Sequence, residues 1–236
     1  MSVKIDMIFR VTKNNVDLVE KSMKAVKRYM PLPVRVVYLN HMAGRASWCH
    51  VERKAGSITK DFTFVNGVTT KNLAVLYNKC LNTILKTNPR PSSKLVCFLD
   101  DDILLDPNWL TYLIKTVTAD THIMASGPSC GDEFKTNQDM ISPFMRNLEA
   151  PALSGNFIED IKACQERFGG KIYMMNEISL SCMVAKKALF DAQGFSFDEQ
   201  DLNFQKKFFQ EVRNCELKVA CFPGCHVRRQ VVTPEE

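Results

Sequence analysis

The stretch Lys94-Leu95-Val96-Cys97-Phe98-Leu99-Asp100-Asp101-Asp102 constrains this chain more than any other. Five consecutive apolar residues, Leu95 to Leu99, have the length of a strand buried on both faces. Burial on both faces calls for helices on either side of a sheet, which is an α/β architecture. The run stops abruptly in three carboxylates, so the charge sits at the strand's carboxyl end, the edge where open α/β sheets bind ligands. Adjacent acids repel one another, and nothing in the local sequence neutralises them. A hard divalent cation held through oxygen would do so, and it would also bridge to phosphate. The competing reading is an acidic surface turn, which does not usually follow so apolar a strand.

The sequence before this stretch alternates strands and helices. Val3 to Val11 reads as a first strand. Asn14 or Asn15 then caps a helix whose apolar positions Val16, Val19, Met23 and Val26 recur at three- and four-residue spacing. Pro31 and Pro33 end it, and Val34 to Leu39 forms a second strand finishing at Asn40-His41. A β-α-β unit of this kind implies parallel strands and a right-handed crossover. Residues 42–57 show no clear period and read as a loop or short irregular element over one edge of the sheet. Phe62 to Val65 is a short strand and Asn66-Gly67 a turn. Thr69 or Thr70 opens a helix from Lys71 to Lys86, with Leu73, Leu76, Tyr77, Cys80, Leu81 and Ile84 on its apolar face.

After the acids, Asp106-Pro107 matches an N-cap followed by Pro at the first helical position, starting a helix to about Val117. Ile123 to Gly127 is the next strand. The pattern weakens between residues 128 and 170, apart from a helix over Phe157 to Phe168. So long an irregular insertion points to a lid or acceptor-binding region. A strand over Ile178 to Val184 follows, then a short helix from Lys186 to Ala192 closed by Gly194. Leu202 to about Arg213 reads as another helix and Leu217 to Phe222 as the last strand, from which Pro223-Gly224-Cys225-His226 turns away. The expectation is one domain over residues 1–236 with a mainly parallel sheet.

Bulk properties narrow the class further. The 236 residues are 45% hydrophobic and 24% charged, as in an ordinary globular protein. A net charge of +5 without dense basic runs argues against a nucleic-acid partner. The nine cysteines are odd in number and scattered behind no secretory signal, so the expectation is reduced thiols in a cytoplasmic protein. Cys80, Cys97 and Cys182 sit in apolar surroundings that suit buried structural thiols. The spacing of Cys215, Cys221, Cys225 and His226 fits no usual zinc pattern. No apolar run approaches the roughly 20 residues of a membrane span.

Four stretches, in order, resemble the family 2 glycosyltransferases, which have the GT-A (Rossmann-like) fold. Asn72 to Leu81 is similar to the family's Asn-rich helix, with Cys80 where a Gly is usual. Phe98-Leu99-Asp100-Asp101-Asp102 resembles its DxD metal and nucleotide-sugar motif, followed by Pro107, Trp109 and Leu110. Leu180 to Phe190 with Gly194-Phe195 is similar to the segment before the family's catalytic acids. Asp198-Glu199-Gln200-Asp201-Leu202 is similar to its Glu-Asp-x-Asp-Leu, with Pro223 and His226 following. The departures are Arg10 to Asn14 in place of a Pro-Thr-Tyr-Asn-like turn, Asn40 in place of an acid, the reversed order Asp198-Glu199, and Gln205 in place of an Arg.

The resemblance implies a metal-dependent, inverting hexosyl- or deoxyhexosyltransferase that moves a sugar from a nucleoside-diphosphate sugar, UDP-linked by preference, to a glycan or other hydroxyl acceptor. Residues 1–127 would hold the donor, and residues 128–236 the acceptor and the base. Mn2+ or Mg2+ would lie on Asp102, with Asp100 as a second ligand or a contact to the nucleoside and Asp101 beside them. His226 would add a ligand or a phosphate contact, against the alternative of an ordinary His near a strand end. The base would be Glu199 or Asp198, with Asp201 as runner-up, although all three also suit helix-capping roles. Thr12, Asn40 and Asn72 are positional candidates for the nucleoside, or else turn caps. Arg228 and Arg229 would clamp the diphosphate, or else simply solubilise the end of the chain. Trp109 would stack on a sugar or pack in the core. Two rivals are a nucleotidyltransferase, disfavoured because residues 10–15 lack a Gly-rich loop, and a non-catalytic GT-A-like binding module.

Overall fold

The computed structural model describes residues 5–12, 15–30, 34–67, 72–86, 93–130, 154–192 and 194–230. Among them, nine strands form one sheet: β1 (Ile5–Val11), β2 (Val34–Asn40), β3 (Phe62–Asn66), β4 (Leu95–Asp100), β5 (Ile103–Leu104), β6 (Ile123–Cys130), β7 (Tyr173–Met175), β8 (Cys182–Lys186) and β9 (Lys218–Arg229). Their order is β3-β2-β1-β4-β8-β6-β9-β5, with β7 paired to β9. The parallel pairings β3–β2, β2–β1, β1–β4 and β6–β9 carry most of the ladder. Strand β8 runs antiparallel between β4 and β6. The helices are α1 (Val16–Tyr29), α2 (Arg45–Lys54), α3 (Leu73–Lys86), α4 (Trp109–Thr118), α5 (Phe157–Phe168) and α6 (Phe204–Asn214).

Strand alternation divides the core into two layers. Ile5, Met7 and Phe9 of β1, with Leu95, Cys97 and Leu99 of β4, face α1, α2 and α4 through Val19, Met23, Trp48, Val51, Trp109 and Leu113. The intervening residues Ile8, Val96 and Phe98 face α3 and α6 through Leu76, Tyr77, Cys80, Phe208 and Phe209. All six residues of β4 are buried, because both of its faces are covered. Trp109 lies in the first layer, fully buried, which is the packing role. The side chain of Asn15 accepts from the Asp17 and Leu18 amides and so caps α1.

Several elements depart from the pattern read in the sequence. Residues 42–57 contain α2 and a short 3-10 turn rather than a loop. The buried face of α2 includes Ser47 and His50 beside Trp48 and Val51, so its apolar stripe is broken by polar residues. Strand β8 starts at Cys182 instead of Ile178, and the segment after it is a single 3-10 turn over Lys187–Leu189. Helix α6 starts at Phe204, leaving Leu202 exposed. The last strand does not end at Phe222 but continues to Arg229. It does so through a bulge, since the partner of Pro128 is Phe222 while the partner of Ser129 is His226. The Ser129 hydroxyl lies 3.1 Å from both the Pro223 and Cys225 carbonyl oxygens within that bulge. Gly224 is needed there, because a Cβ would stand 2.8 Å from the Gly169 carbonyl oxygen. The proposed caps Thr69 and Thr70 lie outside the described residues, and Asn72 instead accepts from the Val75 amide at the start of α3.

At the amino end of the sheet, buried Asp6 accepts from Arg35 Nε at 2.9 Å and from the Ser93 hydroxyl, with Lys187 Nζ 3.9 Å away. Arg35 also donates to the Ile84 carbonyl, tying β2 to α3. Replacing Asp6 with Ala leaves two cations without their shared anion. We expect Asp6→Ala to lower the unfolding free energy by about 3–5 kcal/mol. Urea denaturation measures this, and a loss below about 1 kcal/mol, the range of exposed pairs, would show that water screens the cluster.

Candidate active site

Parallel pairing sets the carboxyl ends of β1, β2 and β4 in a row, with Arg10 opposite Asp100, Val11 opposite Asn40 and Asn40 opposite Asn66. The acid triplet therefore emerges beside Arg10 and Thr12. Asp100, Asp101 and Asp102 are each at most 1% exposed. Arg10 grips Asp100 with two donors, Nε at 2.6 Å and Nη2 to the second oxygen. Asp101 accepts from the Thr12 amide at 3.1 Å and the Thr12 hydroxyl at 3.0 Å. Asp102 accepts from Arg229 Nη1 at 3.1 Å. The acids are thus countered by two guanidiniums, 90 and 127 positions away in the chain.

Among the described residues, no three His, Cys, Asp or Glu side chains group to hold a metal ion. Asp100 and Asp102 nevertheless converge on one cationic group, with Arg229 nitrogens 3.8 Å from Asp100 Oδ2 and 3.1 Å from Asp102 Oδ2. Two carboxylates completed by phosphate oxygens and water are a sufficient donor set for Mg2+ or Mn2+. The guanidinium stands in for such an ion, so the residues present fit one.

His226 and Arg228 both engage α5. His226 Nδ1 lies 3.3 Å from the Ser129 hydroxyl and 3.6 Å from Cys164 Sγ, and its ring packs on Phe157. Arg228 donates to the Gly155 carbonyl, pairs with buried Asp160, and lies over the Phe157 ring at 5.7 Å. These two residues hold the start of α5 against β9. Burial pushes the Cys164 thiol upward, so it rests as a neutral neighbour of His226.

The acids of the 198–201 loop are held differently from one another. Asp198 pairs with Lys207 at 2.5 Å and accepts from the Gln200 amide, and these bonds hold its carboxyl below the usual range. Asp201 accepts from the Asn203 amide at 2.7 Å, in the turn that leads into α6. Glu199 is exposed and accepts from Asn78 Nδ2 at 3.0 Å. Asn78 also exchanges bonds with the Phe197 backbone, donating to its carbonyl at 2.8 Å and accepting from its amide at 3.0 Å. Asn72 donates to the Glu199 carbonyl, and Asn40 accepts from the Ala43 amide. The loop and the acid cluster share one neighbour. The Tyr77 ring lies under the Arg10 guanidinium at 5.9 Å and against Phe197 at 5.5 Å.

No family model and no curated protein matches the sequence. Solved structures do match the fold. One is the mannosyltransferase PcManGT from Pyrobaculum calidifontis, in complex with GDP-Man and Mn2+, at a TM-score of 0.65 and 13% identity. The likeness covers 97% of this chain and 57% of that one. Another is GalNAc-T7 with UDP, GalNAc and Mn2+, at a TM-score of 0.68 and 8% identity, covering 98% of this chain and 44% of the other. This chain has the GT-A fold. It spans about half the length of these two structures. None of its described helices is long and apolar enough to cross a membrane.

The sequence reading assigned no role to Arg10, to Asn78 or to Ser181, whose hydroxyl accepts from Arg229 Nη2 at 2.6 Å. Arg10 carried a signal, since it stands at the carboxyl end of the first strand where the acid strand also ends. Asn78 lay inside the Asn-rich helix without an assigned role. Its three bonds to Phe197 and Glu199 make it the residue that sets the loop. If the 198–201 loop carries the base, as the sequence resemblance implies, Asn78→Ala should reduce turnover by about 10-fold or more without changing nucleotide affinity, as misplacement of a reacting group does. Parallel measurement of rate and binding checks this, and an equal loss in both would assign Asn78 to general stability.

Proposed function

We propose that this chain transfers a hexosyl or deoxyhexosyl group from a nucleoside-diphosphate sugar, UDP-linked by preference, to a hydroxyl of a glycan acceptor, with inversion. The observation that carries this reading is the convergence of buried Asp100 and Asp102 on one cation position at the carboxyl edge of a GT-A sheet. The two structural neighbours contain Mn2+ with GDP-Man in one case and with UDP and GalNAc in the other. Asp100 and Asp102 would hold the ion, which when bound offsets the charge of the departing diphosphate.

The chain's own residues do the rest. Arg10 holds Asp100 in a fixed orientation, and Thr12 does the same for Asp101. Glu199, set by Asn78, takes the proton from the acceptor hydroxyl. The acceptor oxygen bonds to the anomeric carbon while the bond from that carbon to the diphosphate oxygen breaks, its electron pair leaving with the diphosphate. One carboxylate base opposite the leaving group implies in-line attack, hence inversion.

Calorimetric titration with UDP, GDP and dTDP, each with and without Mn2+, tests the donor half of this reading on wild type and Asp102→Asn. The expected result is Mn2+-dependent binding of UDP in preference to the others, reduced at least tenfold in the variant, about 1.4 kcal/mol. Binding of none of them, or binding indifferent to Mn2+ and to Asp102, would overturn it.

A further inference from the structure

We propose that Arg229 is an internal competitor for the divalent cation, so that metal and donor enter only as Arg229 leaves Asp100 and Asp102. This inference rests on the metal position of the proposed function. The Arg229 guanidinium reaches both carboxylates, with Nη1 3.1 Å from Asp102 Oδ2 and Nη2 3.8 Å from Asp100 Oδ2. Nη2 also donates to the Ser181 hydroxyl at 2.6 Å. A metal ion coordinated by those same Oδ2 atoms has to occupy the space the guanidinium fills, so the two exclude each other.

The two arginines of the site are not equivalent. Arg10 belongs to a central strand paired on both sides, its side chain is 13% exposed, and it holds Asp100 with two donors. Arg229 is the last residue of β9, its side chain is 39% exposed, and its local ladder is the two-residue pairing of β9 with β5. Beyond it, the Gln230 amide donates to the Asp102 carbonyl at 2.6 Å and Gln230 Nε2 to the Ser22 hydroxyl at 3.4 Å. Arg10 is therefore a fixed part of the sheet, and Arg229 is the replaceable cation.

Charge gives the exchange a direction. Three carboxylates against Arg10 and Arg229 leave the cluster net negative, which repels a diphosphate. Substituting a divalent ion for Arg229 brings the cluster to neutrality, which removes the repulsion, and the displaced guanidinium adds a positive group beside the same phosphates. Metal and nucleotide then bind with positive coupling, each favouring the state with Arg229 released.

The test measures Mn2+ binding alone, with no nucleotide or acceptor, from the electron paramagnetic resonance signal of the free ion. Wild type is compared with Arg229→Gln, Arg229→Lys and the double variant Arg229→Gln/Asp102→Asn. Removing the competitor is expected to tighten Mn2+ binding roughly tenfold in Arg229→Gln, with Arg229→Lys intermediate and the gain lost in the double variant. Equal affinity in wild type and Arg229→Gln, or no Mn2+ binding by either, overturns the proposal. Hydrogen exchange of the Gln230 amide in the unaltered chain guards against misfolded variants. Protection there should fall when Mn2+ and UDP are added together, and protection that stays constant at saturation also overturns it. Tighter Mn2+ binding in Arg229→Gln without binding of any nucleoside diphosphate would uphold the exchange and sink the transferase reading instead.

Discussion

Glu199→Gln is expected to lower the rate of sugar transfer by about a hundred- to ten-thousand-fold while leaving Mn2+-dependent nucleotide binding unchanged. The substitution keeps the shape of the side chain and an oxygen to accept from Asn78, so the loop held by Asn72 and Asn78 should stay in place. What it removes is the carboxylate proposed to take the acceptor's proton. Its neighbours are poor substitutes. The hydrogen bond from Lys207, supported by the Gln200 amide, holds the Asp198 carboxyl below the usual range, and a lower pKa means a weaker base. The Asp201 carboxylate is engaged with the Asn203 amide in the turn before α6. Asp198→Asn and Asp201→Asn should therefore reduce turnover by less than about tenfold, the scale of an indirect positional effect. A near-normal rate in Glu199→Gln would remove this residue from the chemistry.

What the sequence disclosed and what it hid divide along one physical line. Strand β4 and its acids were legible because five apolar residues ending in charge are a local signal, and the same holds for the Asn15 cap of α1. Helix α2 was not, because two of its four buried residues are the polar Ser47 and His50, the latter beside Glu20 of α1 at 3.9 Å. The run Pro223-Gly224 reads as a chain turn, yet Ser129, 94 positions from Pro223, accommodates its carbonyl and the strand resumes. Ile178 and Leu180 look like strand residues but precede β8. Ile178 packs instead against Gly127, where a Cβ would approach it to 3.1 Å. The partners of the acid triplet were the least legible of all. A carboxylate's counter-charge is chosen by three-dimensional proximity, and here it comes from the first strand and the last. The inference that three bare acids call for a metal was drawn without those guanidiniums. In the structure Arg229 reaches both outer acids, its nitrogens 3.8 Å from Asp100 Oδ2 and 3.1 Å from Asp102 Oδ2.

Arg10→Met should produce the larger stability loss of the two arginines, about 3–5 kcal/mol, because it leaves a fully buried carboxylate without its bidentate partner. The methionine retains the apolar stem over Tyr77. The loss then reports the charge pair rather than a cavity. Asp100→Asn leaves the converse fault, a largely buried guanidinium facing a neutral amide. Combining the two removes both unpaired groups, so the double variant should be more stable than the separate losses predict by roughly 0.5–3 kcal/mol. Arg229 limits the damage in Arg10→Met, since its Nη2 already lies 3.8 Å from Asp100. Arg10→Met/Arg229→Gln should consequently fall below the sum of its single variants, the opposite sign of coupling. Urea unfolding of wild type and the five variants measures both cycles. Strictly additive losses in each would mean that the three groups do not share one electrostatic site, and the convergence of two cations on Asp100 would then carry no energetic weight.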